Sequence, residues 1–442
     1  MTTAFPPLPR LPSAKVSSRL APQWICCQLG AREHYAIPRA LLSTGSPCSL
    51  LTDAWVPPGN AFGKLNRSLG ERYHASLAET PTTAWNAGLI AFELLARARR
   101  LRGWNLIIAR NRWFQKQVVR CLTAGRSLPA PSSPLVVFAY SYAAREIFRW
   151  AKTQGWRTVL GQIDPGPVEE RIVANLHKSA VNSPSSVVDS QWHPAPAQYW
   201  ELWKEECELA DVIIVNSKWS EQALLEEGIP REKLVVIPLC FEAERSTSPR
   251  PFLQRGEGNL LSIINSQPST LPLRVLFLGQ VILRKGIQYL IEAALLLKSE
   301  NVRFDVVGPI GISEQAVKSA PANMTFHGRV SRDQAGDWYR QADIFVLPTV
   351  SDGFALTQLE AMAHGLPVIT TPNCGEVVTD GIDGFIVPAR DTGALAKAIA
   401  TFANDQASLA EFSNQARDRV KDFGLKMLAE HLRKPEHSLQ SG

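Results

Sequence analysis

Two series of short apolar runs, each run followed by a segment of helical spacing, make up this chain, and a stretch that suits neither lies between them. The first series predicts strands at 24–30, 49–52, 135–139, 158–163, 212–215 and 234–237. Its helices fall at 36–43, 85–121 with a break at Gly103, 143–154, 199–209 and 221–227. Asn216 or Ser217 caps the last of these and Gly228 ends it. Residues 176–196, rich in Ser, Pro, His and Asn, read as a loop in which His177 and His193 are exposed. Residues 244–272 hold Ser-Thr-Ser-Pro-Arg-Pro, Gln-Arg-Gly-Glu-Gly and Gln-Pro-Ser-Thr-Leu-Pro, which favour turns and break the pattern. Strands then resume at 274–278, 304–307, 324–327, 344–348, 368–370 and 384–387, with helices at 287–299, 333–341, 359–364, 375–380, 395–404 and 409–423.

Strands separated by helices pair in parallel through right-handed crossovers. The expected fold is α/β, with two doubly wound parallel-sheet, Rossmann-like domains. Residues 1–22 form a Pro-rich tail, 23–243 the first domain, 244–272 a linker, 273–425 the second domain and 426–442 a tail. Open parallel sheets bind ligands beyond the carboxyl ends of their strands, so two facing sheets put a cleft between the domains.

The 442 residues suit about two to three domains. Hydrophobic residues at 45% and charged residues at 20% exclude a disordered or coiled-coil chain. Apolar runs such as Val212–Val215 are too short to span a bilayer. Seven cysteines without a Cys-x-x-Cys pair argue against a zinc or secreted disulfide framework and for the cytoplasm. The amino terminus lacks the apolar core of a secretory signal.

The net charge of +6 conceals an asymmetry. Through residue 157 there are 21 Lys and Arg against six Asp and Glu, and the remainder carries 26 against 35. Much of the excess is Arg97, Arg99, Arg100, Arg102, Arg110, Arg112, Lys116, Arg120 and Arg126, interleaved with Trp104, Trp113 and Phe114. Such a region attracts anions. One reading is peripheral contact with the inner face of an anionic membrane, at about 1 kcal/mol per well-placed cation; the other is a solvated helical face over core tryptophans. No nucleic-acid motif accompanies the charge, so no nucleic-acid partner is expected.

Two stretches carry chemistry. In SDGFALTQLEAMAHGLPVIT, residues 351–370, Asp352 and Glu360 flank seven residues, and Gly353 permits close backbone approach. A helix starting near Leu356 turns its free N–H groups toward the preceding loop, an arrangement suited to a diphosphate. Glu360 is placed to accept hydrogen bonds from a vicinal diol such as a ribose. In LFLGQVILRKG, residues 276–286, a strand ends at Gly279, and Arg284 and Lys285 precede a helix, where two cations would neutralise a leaving diphosphate. A helix cap at Asp352 and a solvated basic turn are the plainer alternatives. After a further strand, GQIDPGPVEE places Asp164 at the cleft edge, to polarise an acceptor hydroxyl or simply to start a turn. No histidine spacing and no Asp-x-Asp points to a metal.

These stretches, with FDVVGP, HGRVS, ADIFVLPTVSDGFALTQLEAMAHGLPVITT and GIDGFIVPARD, resemble the retaining family-4 glycosyltransferases of GT-B fold across about residues 274–405. Fainter agreement runs through QLGAREHYAIPRALLSTG and ADVIIVNSKWS in the first half. The resemblance implies transfer of a hexosyl group from a nucleotide-diphosphate sugar to a glycan, lipid-linked or small-molecule acceptor hydroxyl, with retention and without a metal or other cofactor. It gives Glu360 the ribose and Asp352 the donor sugar. The backbone of Gly353, Phe354, Ala355 and Leu356 donates to the diphosphate and sugar, and Arg284 and Lys285 form the diphosphate clamp. Gly279, Gln280, Gly308, Arg329 and Val330 line the donor, and Gly30 faces it from the other domain. Arg32, Glu33, His34 and Asp164 fall on the acceptor side. Two departures stand out. Asp352 replaces the family's glutamate and withdraws the carboxylate by roughly 1.5 Å, and Gln280 stands where an arginine is common. They leave open a binding scaffold whose chemistry has lapsed. A nucleotide-sugar epimerase or a phosphorylase of the same fold is the other alternative.

Overall fold

The computed structural model describes residues 22–60, 63, 67–125, 134–181, 192–242 and 271–440. Two sheets, all of whose pairings are parallel, organise the chain. The first has seven strands in the order β3-β2-β1-β4-β5-β6-β7. These are β1 Gln23–Gln28, β2 Cys48–Thr52, β3 Thr82–Ala84, β4 Leu135–Tyr140, β5 Arg157–Gln162, β6 Val212–Val215 and β7 Leu234–Val236. The second has six, in the order β10-β9-β8-β11-β12-β13. They are β8 Leu273–Leu278, β9 Val302–Val307, β10 Met324–Gly328, β11 Ile344–Leu347, β12 Val368–Thr370 and β13 Gly384–Ile386.

The strands read as continuous apolar runs because helices cover both faces. Val212–Val215 and Ile344–Leu347 are buried at every position. Ser217 caps the helix Lys218–Glu226 by accepting from the Ser220 N–H, as its place before the apolar spacing requires. In each sheet the strand order reverses once, between β1 and β4 and between β8 and β11. Ligands of doubly wound sheets bind beyond the strand ends at such reversals. The loops that follow these four strands hold Gly30, Tyr142, Arg284 with Lys285, and Asp352 with Gly353.

Three expectations fail. Residues 426–440 are not a tail. They belong to the helix Leu425–Gln440, whose Leu428, Ala429 and Leu432 join the core of the first domain beside Ile37, Ala40 and Leu41. The spacing Leu425, Leu428, Ala429, Leu432 makes one apolar face, and that face needs a cover. Leu176 begins no loop, because Pro167–Val181 is helical and Val173 and Leu176 are buried. Residues 375–380 form no helix; the Val377 N–H turns back to the Gly375 carbonyl at 2.8 Å. The expected tail before Pro22 and the connection over 244–270 lie outside the described residues. Among the described residues, no helix is long and apolar enough to cross a membrane.

Candidate active site

The loops after β5 and β6 meet those after β8 and β11, so the two sheets present their carboxyl ends to each other. Gly353 marks the tightest approach: a Cβ there would lie 2.5 Å from the Ile163 carbonyl oxygen and 3.0 Å from the Asn216 amide nitrogen. Its lack of a side chain thus permits contact with the opposite domain. The Lys218 N–H donates to Glu376 across the same seam (2.9 Å).

Both predicted cations are present, and both are paired. Lys285 bonds Asp352, and the two are largely buried. Burial, and after it the neighbouring Arg284 guanidinium, pull the lysine down to about 7. Arg284 Nη1 bonds both oxygens of Glu169, at 3.1 and 3.2 Å, and the Ser351 carbonyl at 3.2 Å. Glu169 belongs to the other domain, on the first turn of Pro167–Val181. It also accepts the Ser351 hydroxyl (2.8 Å), which in turn accepts the Trp219 indole N–H (3.0 Å). Two cations and two carboxylates therefore cancel at the mouth of the second sheet.

The helix Thr357–Ala363 holds Glu360 in its first turn, where its carboxylate accepts the Tyr339 hydroxyl at 2.8 Å. Burial and that carboxylate push the Tyr339 phenol well up. Ala355 is left-handed at φ 64°, an uncommon state for a residue with a side chain. Phe354 is not a ligand side chain. It is buried in the second core against Phe423, which leaves only its backbone for the cleft. Gly279 and Gly308 lie back to back, and a Cβ on Gly308 would overlap the Gly279 carbonyl oxygen. Gln280 and Arg329 are exposed, while Val330 and Leu356 pack against the second core.

Across the cleft, Gly30 does not offer its N–H to a donor; Asp53 accepts it at 2.9 Å and also pairs with Arg72 at 3.0 Å. Glu33, His34 and Tyr35 are all left-handed, at φ 50°, 50° and 59°. Such a run costs about 1–2 kcal/mol per residue. It is held by Tyr35, buried and edge-on to Trp55. Arg32 lies over the Tyr140 ring. Burial lifts the Glu33 carboxyl to about 7, against the lowering pull of Arg32 and Tyr140. Asp164 accepts the Tyr142 hydroxyl at 2.5 Å and the Gly166 N–H at 2.9 Å, so it does start a turn.

Asp164 also lines a cavity of about 470 Å³ between the domains, with Arg284, Glu169, Trp104, Tyr142, His177, Trp192, Tyr199 and Trp200. Tyr142 and Tyr199 stack at 4.8 Å, Trp104 lies 4.9 Å from Tyr199, and His177 stacks on Trp192. His177, expected on an exposed loop, faces this cavity. Neither Glu169 nor Tyr142, Trp192, Tyr199 and Trp200 were singled out from the sequence, and Trp104 was noted only among the basic residues. The one signal was density: Trp192, Tyr199, Trp200 and Trp203 fall within twelve positions. Among the described residues, no three His, Cys, Asp or Glu side chains gather as a metal site.

Two all-parallel doubly wound domains joined mouth to mouth define the GT-B architecture of glycosyltransferases. Residues 272–405 match the family model of the glycosyl transferases group 1. The chain is 28% identical over 227 residues to a D-inositol 3-phosphate glycosyltransferase of Xylanimonas cellulosilytica, covering 49% of this chain and 54% of that protein. The chain spans about half the length of the curated relatives it matches. In fold it resembles the Anabaena protein HepE in complex with UDP (TM-score 0.57, 15% identity, 95% of this chain and 100% of that one). It also resembles the catalytic domain of starch synthase IV from Arabidopsis thaliana bound to ADP and acarbose (TM-score 0.62, 12% identity, 96% and 100%).

Proposed function

We propose that this chain moves a hexosyl group from a nucleotide-diphosphate sugar to an acceptor hydroxyl, with retention and without a metal. The observation that carries the reading is the placement of Arg284 and Lys285 beside Asp352 at the strand reversal of the family-matched domain. UDP in HepE and ADP in starch synthase IV fit a nucleoside diphosphate as the leaving group. In this reading the diphosphate takes Arg284 and Lys285 as its counter-ions, which stabilises the charge that develops on departure. Lys285 then releases Asp352 toward the donor sugar, where a carboxylate steadies an oxocarbenium-like centre. Glu360 exchanges the Tyr339 hydroxyl for the ribose. The acceptor hydroxyl enters from the aromatic cavity, with Asp164 and Glu33 at its edge. The closed seam at Gly353 excludes water.

The paired cations favour a second reading, a scaffold that binds nucleotide sugars without turnover. Calorimetry with UDP, ADP and GDP, beside release of nucleoside diphosphate with and without acceptor, separates the two. For the enzyme, release occurs only with acceptor, and Lys285→Ala and Glu360→Ala each lower it at least about 100-fold, or 2.7 kcal/mol, with the fold intact by circular dichroism. Full activity in either variant removes the assignment. Release without acceptor points instead to an epimerase or a hydrolytic relative.

The same reading places the basic domain against an anionic membrane on its cytoplasmic face. Leu94, Leu95 and Ile107 are exposed next to Arg97, Arg99, Arg100 and Arg102, the pairing of apolar and cationic side chains that a lipid surface takes up.

A further inference from the structure

A second cavity, of about 620 Å³, opens in the first domain on the other side of Tyr142 and Tyr199, which line both cavities. Its walls are the helices Gly103–Thr123, Arg145–Thr153 and Ala197–Leu209. Ile108, Val119, Trp150, Leu202 and Trp203 give it an apolar lining. Arg112, Lys116 and Arg120 stand along its edge, exposed and four residues apart, hence on one face of one helix. That 21-residue helix contains no Asp or Glu.

The carboxylates that do line the groove are already taken. Glu146 bonds Arg145 and Arg149. Glu206 accepts the N–H groups of Tyr142, Ala144 and Arg145, at 2.5, 2.8 and 3.1 Å. Among the described residues, Arg112 meets the neutral Gln198 amide oxygen, at 3.3 Å. Three like charges on one helix face repel one another. A row of them beside an apolar trough suits an anion that brings its own counter-charge and an apolar chain.

We infer that this groove binds a phosphate-bearing lipid, with the phosphate on Arg112, Lys116 and Arg120 and the chain along Ile108, Val119 and Leu202. Because Tyr142 and Tyr199 form its common wall with the cleft, the lipid phosphate is the anchor of the acceptor, and the sugar it carries reaches the aromatic cavity. This last step rests on the cleft being the acceptor side; the binding step does not. Free inorganic phosphate has the charge without the chain, and a nucleic acid has neither the chain nor a reason for the apolar lining.

The test is calorimetric titration of the full chain with dodecyl phosphate below its critical micelle concentration, against inorganic phosphate and dodecyl maltoside. Dodecyl phosphate is expected to bind at least about tenfold tighter than either. The triple substitution Arg112→Gln, Lys116→Gln, Arg120→Gln loses that margin. Val119→Trp fills the trough and weakens dodecyl phosphate, while inorganic phosphate binding is unchanged. UDP binding is unaffected in both variants. Equal affinity for inorganic and dodecyl phosphate overturns the inference, as does a triple variant that binds like wild type. Binding to phosphatidylglycerol vesicles without binding of monomeric dodecyl phosphate also overturns it, in favour of a flat membrane contact. Groove binding without any glycosyl transfer refutes the proposed function and leaves the groove standing.

Discussion

The two sheet mouths are built to the same plan and furnished in opposite ways. The second offers charge: Arg284, Lys285 and Asp352 on loops and Glu360 on the helix that follows, with Gly308 and Gly353 closely approached and Ala355 left-handed. The first offers faces: Trp104, Tyr142, Trp192, Tyr199 and Trp200, with one Asx turn at Asp164. A diphosphate is small, doubly charged and common to every nucleotide sugar, so a short local motif suffices to hold it. A sugar or lipid acceptor is broad and weakly polar, and it is gripped by area contributed from several segments. Under the proposed function, the contrast makes donor recognition a property of single loops and acceptor recognition one of the assembled domain.

That comparison can be broken at its seam. Gly353→Ala puts a methyl group 2.5 Å from the Ile163 carbonyl oxygen, which forces the two mouths apart. Turnover is expected to fall by about tenfold or more, equivalent to 1.4 kcal/mol, and UDP affinity to fall much less. An unchanged turnover would mean that the mouths need not touch. A gentler cut is Trp104→Ala, which removes one face of the aromatic cavity. Acceptor KM is expected to rise several-fold, on the order of 1 kcal/mol for one aromatic contact, with UDP affinity unaltered. A loss of UDP affinity would show that the aromatic side also holds the donor.

The smallest effect is one of pH. Lys285 is held down to about 7 by burial, so it is charged below that value and neutral above it. Its pull on a diphosphate is therefore lost as pH rises through about 7. The ratio of wild-type to Lys285→Arg affinity for UDP should drop about three- to tenfold between about pH 6 and about pH 8. Taking the ratio cancels the phosphate's own ionisation. A flat ratio would show that Asp352 keeps the ammonium charged throughout.

Much of the local structure was legible in the sequence. Ser217 as a cap, Gly279 after β8 and the Arg284-Lys285 turn before a helix all follow from the spacing of neighbours. Phe354 was read for its backbone alone; that its side chain packs against Phe423 in the core was not legible, because a motif gives a position without saying which way its side chain turns. Gly353 meets the Ile163 carbonyl oxygen of the other domain, a neighbour the sequence did not name, since close approach is written in the residue type and the approaching group is not. Glu169 could not be found at all: 115 positions separate it from Arg284.

Periodicity, backbone conformation and capping act over a handful of residues, so the sequence alone determined the two doubly wound sheets and the charged loops beyond their strands, while the strand order came from the structure. Tertiary structure decided what those loops meet. It closed Gly353 on Ile163, set Glu169 against Arg284, drew the helix Leu425–Gln440 back onto the first domain and gathered aromatic residues from four stretches of chain into one cavity. These contacts depend on where the chain returns after long excursions, and the free energy that selects them is buried surface summed over the whole molecule.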